Sequence, residues 1–238
     1  MTSVARLYVT ADLKSGADLA LDEAAAHYLR HVLRLELGAA VVLFNGRDGE
    51  FAATLSVAGK RETRVAVGDC LRPFQAPRDI WLCFAPIRQG RIEFIIEKAT
   101  ELGAARLLPV LTKRCQVRQV NAQRLEAHAR EAAEQCERLD VPPLAPLQPL
   151  DAMLNAWPQE RRLFACLERE TATPLLAALQ ALPAAAPLAM LVGPEGGFAP
   201  EEIALLKAKA FVTPVSLGEG ILRAETAALA ALAVAAAL

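Results

Sequence analysis

Apolar and polar positions change rhythm along the chain. In the first third, short apolar runs alternate with turn residues. Stretches 6–9, 41–44, 50–57 and 63–67 predict strands, with Asn45-Gly46 and Asp48-Gly49 as turn signals between them. Residues 21–35 carry helical spacing instead. At 100° per residue, His27, Arg30, His31 and Arg34 share one face, and Leu29, Val32 and Leu33 share the opposite one. Several short strands around one helix predict a small β-barrel over residues 1–72. The helix would dock by its apolar side and turn a basic stripe outward. Such a stripe suits RNA phosphates, and it equally suits an ordinary solvated face.

Residues 71–78 hold two prolines and predict a linker. Beyond it, apolar runs alternate with longer helical patterns. Stretches 80–87, 106–111, 162–167, 188–192 and 211–217 predict strands. Stretches 91–102, 121–139 and 174–182 predict helices, with Gly103 as a stop and Asn121 as a cap. Leu125, Ala129, Ala132 and Cys136 fall on one side of the second helix. Pro142, Pro143, Pro146 and Pro149 mark an irregular connection. The alternation predicts an α/β domain with a mainly parallel sheet over residues 73–238. The apolar tail 227–238 is too short to span a bilayer and predicts a buried helix or a dimer contact.

Composition adds limits. Hydrophobic residues make up 54% and charged residues 22%, which supports a core. A net charge of −1 gives no global positive field, so any nucleic-acid site must be a local patch. The five cysteines, at 70, 83, 115, 136 and 166, form no CxxC pair. Neither they nor the three histidines have metal-ligand spacing, which points to reduced thiols in a cytoplasmic protein without a metal. The first residues lack the apolar core of a signal peptide.

The densest chemistry lies in two strand–loop–helix units near the end. Runs 188–192 and 211–217 each lead into a glycine loop, GPEGG (193–197) and GEG (218–220). Loops of this kind at the carboxyl ends of strands build small-molecule sites in α/β sheets. Pro200 suits the first turn of the helix that follows, with Glu201 and Glu202 favourable at its positive end. Those acids would repel a phosphate there, which favours a cationic or neutral ligand. No lysine follows either loop, as a P-loop would require. Loop 193–197 alone also fits a plain tight connection. Arg223, Glu225 and Thr226 stand at the mouth of an Ala/Leu helix, where polar groups cap or touch a ligand.

Together, LVGPEGGF (191–198) and SLGEGILRAETAAL (216–229) resemble the two signature motifs of the SPOUT methyltransferases. The resemblance is nearest to the RsmE family of ribosomal RNA uridine-N3 methyltransferases. HVLRL (31–35), FNGRDGEF (44–51), EKATELG (97–103), TKRCQ (112–116) and EQCER (134–138) fit the same family, so the resemblance runs from Arg6 to the C-terminal helix. Family members usually carry a larger polar residue, often arginine, where this chain has Gly220.

The resemblance implies a PUA-like RNA-binding β-barrel followed by a SPOUT-type parallel sheet. It implies a C-terminal trefoil knot over roughly residues 188–230 that forms the cofactor pocket, and a homodimer whose second subunit completes the active site. The implied donor is S-adenosyl-L-methionine, and the implied substrate is 16S rRNA in the small ribosomal subunit. Leu191, Gly193, Glu195, Gly196, Gly197, Leu217, Gly218, Ile221, Leu222 and Thr226 would hold the donor. Arg6, His27, Arg30, His31, Arg34, Lys113 and Arg114 would meet RNA. Uridine N3 must lose a proton before it attacks, which needs a proton acceptor and a cation for charge moving onto the uracil oxygens. Glu225 and Arg223 are the candidates for those catalytic roles. Arg223 also fits a pair with Glu225 or a phosphate contact, and Glu225 also fits a helix cap. Glu134 and Arg138, one turn apart, fit an exposed ion pair. Ribose 2′-O-methylation of RNA and non-catalytic RNA binding are the rival functions.

Overall fold

The structure, a computed structural model, describes residues 4–59, 62–167, 172–183 and 186–238. The chain forms two compact units. The first holds Met1–Ala76 and Ala133–Val141, and the second holds Pro77–Ala132 and Pro142–Leu238.

In the first unit, β1 (Ala5–Tyr8), β2 (Asp18–Ala20), β3 (Ala40–Phe44), β4 (Glu50–Ala58) and β5 (Thr63–Arg72) form one sheet in the order β1-β3-β4-β5-β2. β1 runs parallel to β3, and the other pairs are antiparallel. Alternate residues of these strands, among them Leu7, Val41, Leu43, Leu55, Val65 and Val67, share a core with Leu29. The β3–β4 turn is held by Asn45, whose side-chain oxygen accepts the amides of Arg47 at 3.1 Å and Asp48 at 2.9 Å.

The helical stretch departs from its predicted form. α1 (Glu23–His27), capped by the Asp22 carboxylate on the Ala25 amide, passes into a π-turn over Tyr28–Val32. The Leu33 amide reaches back to the Tyr28 carbonyl at 3.0 Å. Bonding from i to i+5 lessens the rotation per residue, so the predicted apolar face breaks up. Leu29 stays fully buried, while Val32 is 58% and Leu33 37% exposed.

Residues 133–141, which include the end of the helix predicted over 121–139, pack with the first unit. The Arg6 guanidinium explains much of this. It pairs with Glu50 and donates to the carbonyls of Ala133, Glu134 and Arg138 at 3.0–3.1 Å. The Tyr8 amide donates to the Glu134 carboxylate at 2.9 Å.

The second unit is a seven-stranded parallel sheet. Its elements are β6 (Ile80–Phe84), α2 (Arg91–Glu101), β7 (Arg106–Leu111), α3 (Ala122–Gln135, whose last residues lie in the first unit), β8 (Gln148–Pro149) and α4 (Leu150–Asn155). Next come β9 (Arg162–Cys166), β10 (Thr173–Pro174), α5 (Leu175–Gln180), β11 (Leu188–Val192), α6 (Pro200–Lys207), β12 (Val212–Ser216) and α7 (Ala224–Ala236). The strand order is β10-β12-β9-β11-β6-β7-β8. All five residues of β11 are buried, as a central parallel strand covered on both faces requires. In α3, Asn121 caps the Arg124 amide at 3.1 Å, and Leu125, Ala129 and Ala132 are buried. Cys136, predicted inward, is exposed, because the helix ends at Gln135 and Glu137 takes a left-handed φ of 59°. α7 packs on α2, α5, β6 and β11 through Ala224, Ala227, Ala228, Ala231, Leu232 and Ala235. Among the described residues, no helix is long and apolar enough to cross a membrane, and no cluster of His, Cys, Asp and Glu could hold a metal ion.

Candidate functional site

A cavity of about 630 Å³ opens at the carboxyl ends of β9, β11 and β12. Because β9 lies between the other two strands, the glycine loops after β11 and β12 stand on either side of its end. Cys166 at the end of β9 and Leu167 just beyond it line the cavity. Val192 and Phe198 line it from one flank, Val215, Leu217, Ile221 and Leu222 from the other, and Ala224 and Ala227 from α7. Of the residues expected to hold the donor, Gly193, Glu195, Gly196, Gly197 and Gly218 are also in the lining. Leu191 is not. It is fully buried within the sheet, and its neighbour Val192 takes the lining position because strand residues alternate sides. Thr226 is exposed and does not line the cavity, whereas Ala227 does.

The first glycine loop is shaped by close packing. A Cβ on Gly193 would stand 2.9 Å from the Phe198 ring, so a side chain at 193 would have to displace that ring. The loop turns through a bond from the Gly197 amide to the Pro194 carbonyl at 2.8 Å. α6 then starts at Pro200. Glu202, only 6% exposed, accepts the Ala199 amide at 2.8 Å, and its other oxygen accepts the Lys113 amide at 2.8 Å. Glu201 pairs with the Lys113 ammonium. That hydrogen bond holds the Glu201 carboxyl below its ordinary range and the Lys113 ammonium above its own. The two acids therefore secure the loop after β7; they are not set aside for a charged ligand.

Arg114 completes this wall. It donates to the Gly196 carbonyl at 2.9 Å and lines the cavity. In the sequence it reads as an RNA-phosphate contact, because nothing local links residue 114 to a loop 82 residues further on. Cys166, Leu167 and Ile203, which also line the cavity, escape the motif reading too, whereas Phe198 lies inside the first motif without being named as a site residue. Only the position of Cys166 and Leu167 at a strand end marks them.

At the mouth of α7, Arg223 occupies the cap position without a side-chain capping bond. The partner of Glu225 is Arg91 at the start of α2, at 3.0 Å. The Glu225 side chain is 13% exposed, and its second oxygen is buried with no hydrogen-bond partner among the described residues. Neither Arg223 nor Glu225 lines the cavity, although Ala224 between them does.

The basic candidates of the first unit divide. Arg6 is committed to Glu50 and three carbonyls, with 9% of its side chain exposed, and holds the unit together instead of meeting RNA. Arg30 turns back to the Gly59 carbonyl at 2.7 Å. His27 and His31 remain exposed with ring centroids 4.9 Å apart. Arg34 is exposed beyond the π-turn in a left-handed conformation, φ 54°. Arg138 is not an exposed surface charge: its side chain is 8% exposed and paired with Asp140 at 2.7 Å.

Comparison with known proteins agrees with this architecture. Residues 74–236 match the RNA methyltransferase domain family, and residues 21–67 match the RNA methyltransferase PUA domain. The ribosomal RNA small subunit methyltransferase E of Rickettsia conorii is 33% identical over 96% of this chain and 93% of its own. That of Synechocystis is 35% identical over 96% of this chain and 76% of its own. Among solved structures, a putative methyltransferase of Legionella pneumophila in complex with SAM superposes with a TM-score of 0.87 at 31% identity, covering 99% of this chain and 98% of that one. The ribosomal RNA small subunit methyltransferase E of Neisseria gonorrhoeae, bound to S-adenosyl methionine, gives 0.86 at 28% identity, covering 97% and 96%. The chain belongs to the RNA methyltransferase family that contains the ribosomal RNA small subunit methyltransferases E.

Proposed function

We propose that this protein methylates N3 of a specific uridine in the 16S rRNA of the small ribosomal subunit, with S-adenosyl-L-methionine as donor. The observation that carries the reading is the cavity between the two glycine loops, in a chain similar to two solved structures that hold that donor. Its volume suits a ligand of this size. Its lining suits the parts of the donor: apolar walls for an adenine, and bare main chain at Gly193, Gly196 and Gly218 for close approach. The donor, when bound, supplies a methyl group made electrophilic by a sulfonium.

The chain's own part is to hold, orient and exclude water. Leu217, Ile221 and Leu222 wall the site, and Phe198 fixes the loop at Gly193. N3 lies on the pairing edge of uridine, so the base must be unpaired or flipped out. Glu225 is our assignment for the proton acceptor and Arg223 for the cation. They flank a cavity residue, and Arg91 holds one Glu225 oxygen while the other has no partner among the described residues. His27, His31 and Arg34 on the first unit would meet the RNA backbone.

The same proposal includes a domain division near residue 72, a trefoil knot through the 188–230 segment, a homodimer that completes the active site, and a cytoplasmic location. The test is transfer of labelled methyl from S-adenosyl-L-methionine to small ribosomal subunits from cells lacking the protein, followed by nucleoside analysis. N3-methyluridine is expected. A 2′-O-methylated nucleoside would replace the acceptor assignment, and absence of both transfer and donor binding would leave an RNA-binding protein.

A further inference from the structure

Arg114 stands where the sequence does not place it. Among the described residues that line the cavity, Glu195, Glu219 and Arg114 carry formal charge, and Arg114 is the cation of the three. Its loop is fixed from several sides. Thr112 and Cys115 close the turn, with the Cys115 amide on the Thr112 carbonyl at 3.2 Å and the Thr112 amide on the Cys115 sulfur at 3.3 Å. Buried Glu202 pins the Lys113 amide. The guanidinium then reaches the first glycine loop, and one N–H is engaged by the Gly196 carbonyl at 2.9 Å. The backbones come close as well: a Cβ on Gly196 would lie 3.4 Å from the Arg114 Cβ. A guanidinium carries five N–H donors in a planar fork that matches a carboxylate. Anchored by one of them, it presents the rest from a preorganised position.

Resting on the donor assignment above, we propose that Arg114 binds the carboxylate at the amino-acid end of S-adenosyl-L-methionine, and that it is a donor-site residue and not an RNA-phosphate contact. The donor carries two positive groups, the sulfonium and the ammonium, and one negative group. Backbone amides and apolar walls do not supply a countercharge for that carboxylate; Arg114 does. The same contact joins the loop after β7 to the first glycine loop, so donor binding would tighten both.

Isothermal titration of wild type and Arg114→Ala tests this with three ligands: S-adenosyl-L-methionine, its decarboxylated analogue and 5′-methylthioadenosine. Loss of a hydrogen-bonded charge pair predicts that Arg114→Ala weakens S-adenosyl-L-methionine on the order of tenfold to a hundredfold. The decarboxylated analogue and 5′-methylthioadenosine, which lack the carboxylate, should keep their wild-type affinities. Arg114→Lys, which keeps the charge but not the fork, should fall between. Equal weakening of all three ligands would reduce Arg114 to a support of the loop and overturn the proposal. So would unchanged donor affinity accompanied by weaker binding of 16S rRNA. Failure of the wild-type protein to bind S-adenosyl-L-methionine would instead overturn the donor assignment itself.

Discussion

One oxygen of the Glu202 carboxylate accepts the backbone amide of Lys113 across 89 residues of sequence, at 2.8 Å. The other oxygen accepts the Ala199 amide at the start of α6. A single buried carboxylate thus satisfies two amides from different loops. Glu202→Ala leaves both without it and is expected to cost about 2–4 kcal/mol of stability, measured by urea denaturation. Glu202→Gln retains volume but presents an NH₂ to one of the two amides, so it should recover less than half of that loss.

Gly193 and Phe198 set the shape of the first glycine loop. Gly193→Ala forces the ring away and should weaken donor binding by about 1–3 kcal/mol, the ordinary cost of overpacking. Phe198→Leu in the same chain makes room for the new methyl group. A double-mutant cycle in donor affinity should therefore show the two changes compensating. Additive losses would mean the ring does not act on the loop.

The second glycine loop holds two glycines under different constraints. Gly218 has a φ of 126°, which L side chains rarely adopt, so Gly218→Ala should destabilise by roughly 1 kcal/mol or more. Gly220 has no such angle, and a Cβ there would meet nothing within 4 Å. Gly220→Ala should gain about 0.4–1 kcal/mol by narrowing the unfolded ensemble. A methyl group at this position therefore has room. Paired urea melts of the two variants check the contrast.

Glu50 gives the first unit a pH dependence. Burial pushes its carboxyl up, but hydrogen bonds from Arg72 and Arg6 outweigh burial and leave it below the ordinary 4.5. A depressed carboxyl contributes stability that is fully present above 4.5 and is lost as pH falls through the folded-state value. Urea melts from about pH 6 to about pH 3 should show this loss, and Glu50→Gln should flatten it while lowering stability at neutral pH. An unchanged acid limb in Glu50→Gln would remove Glu50 from the account.

β7 and β11 begin and end where the sequence predicts, because central parallel strands are continuous apolar runs bounded by turn residues. The glycine loops were legible for a similar reason: their residue types are local. β2, β8 and β10 were not, since strands of two or three residues are defined by the neighbour that pairs with them. The helical wheel over 21–35 fails at the π-turn, where the assumed 100° step no longer holds. Arg6, Arg114 and Glu202 acquire their roles from partners far along the chain, and composition alone marks them only as surface charges.

The return of residues 133–141 to the first unit bears on how the chain emerges from the ribosome. Arg6 finds three of its acceptors only on that segment. A nascent chain released as far as residue 76 has all five strands of the barrel-like sheet but leaves much of the Arg6 guanidinium unsatisfied. Final consolidation of the first unit must wait until Val141 is free of the exit tunnel, by which time β6, α2 and β7 are already available to collapse. The order of synthesis is therefore not the order of completion, and a fragment ending near residue 76 would be an incomplete body instead of an independent cassette.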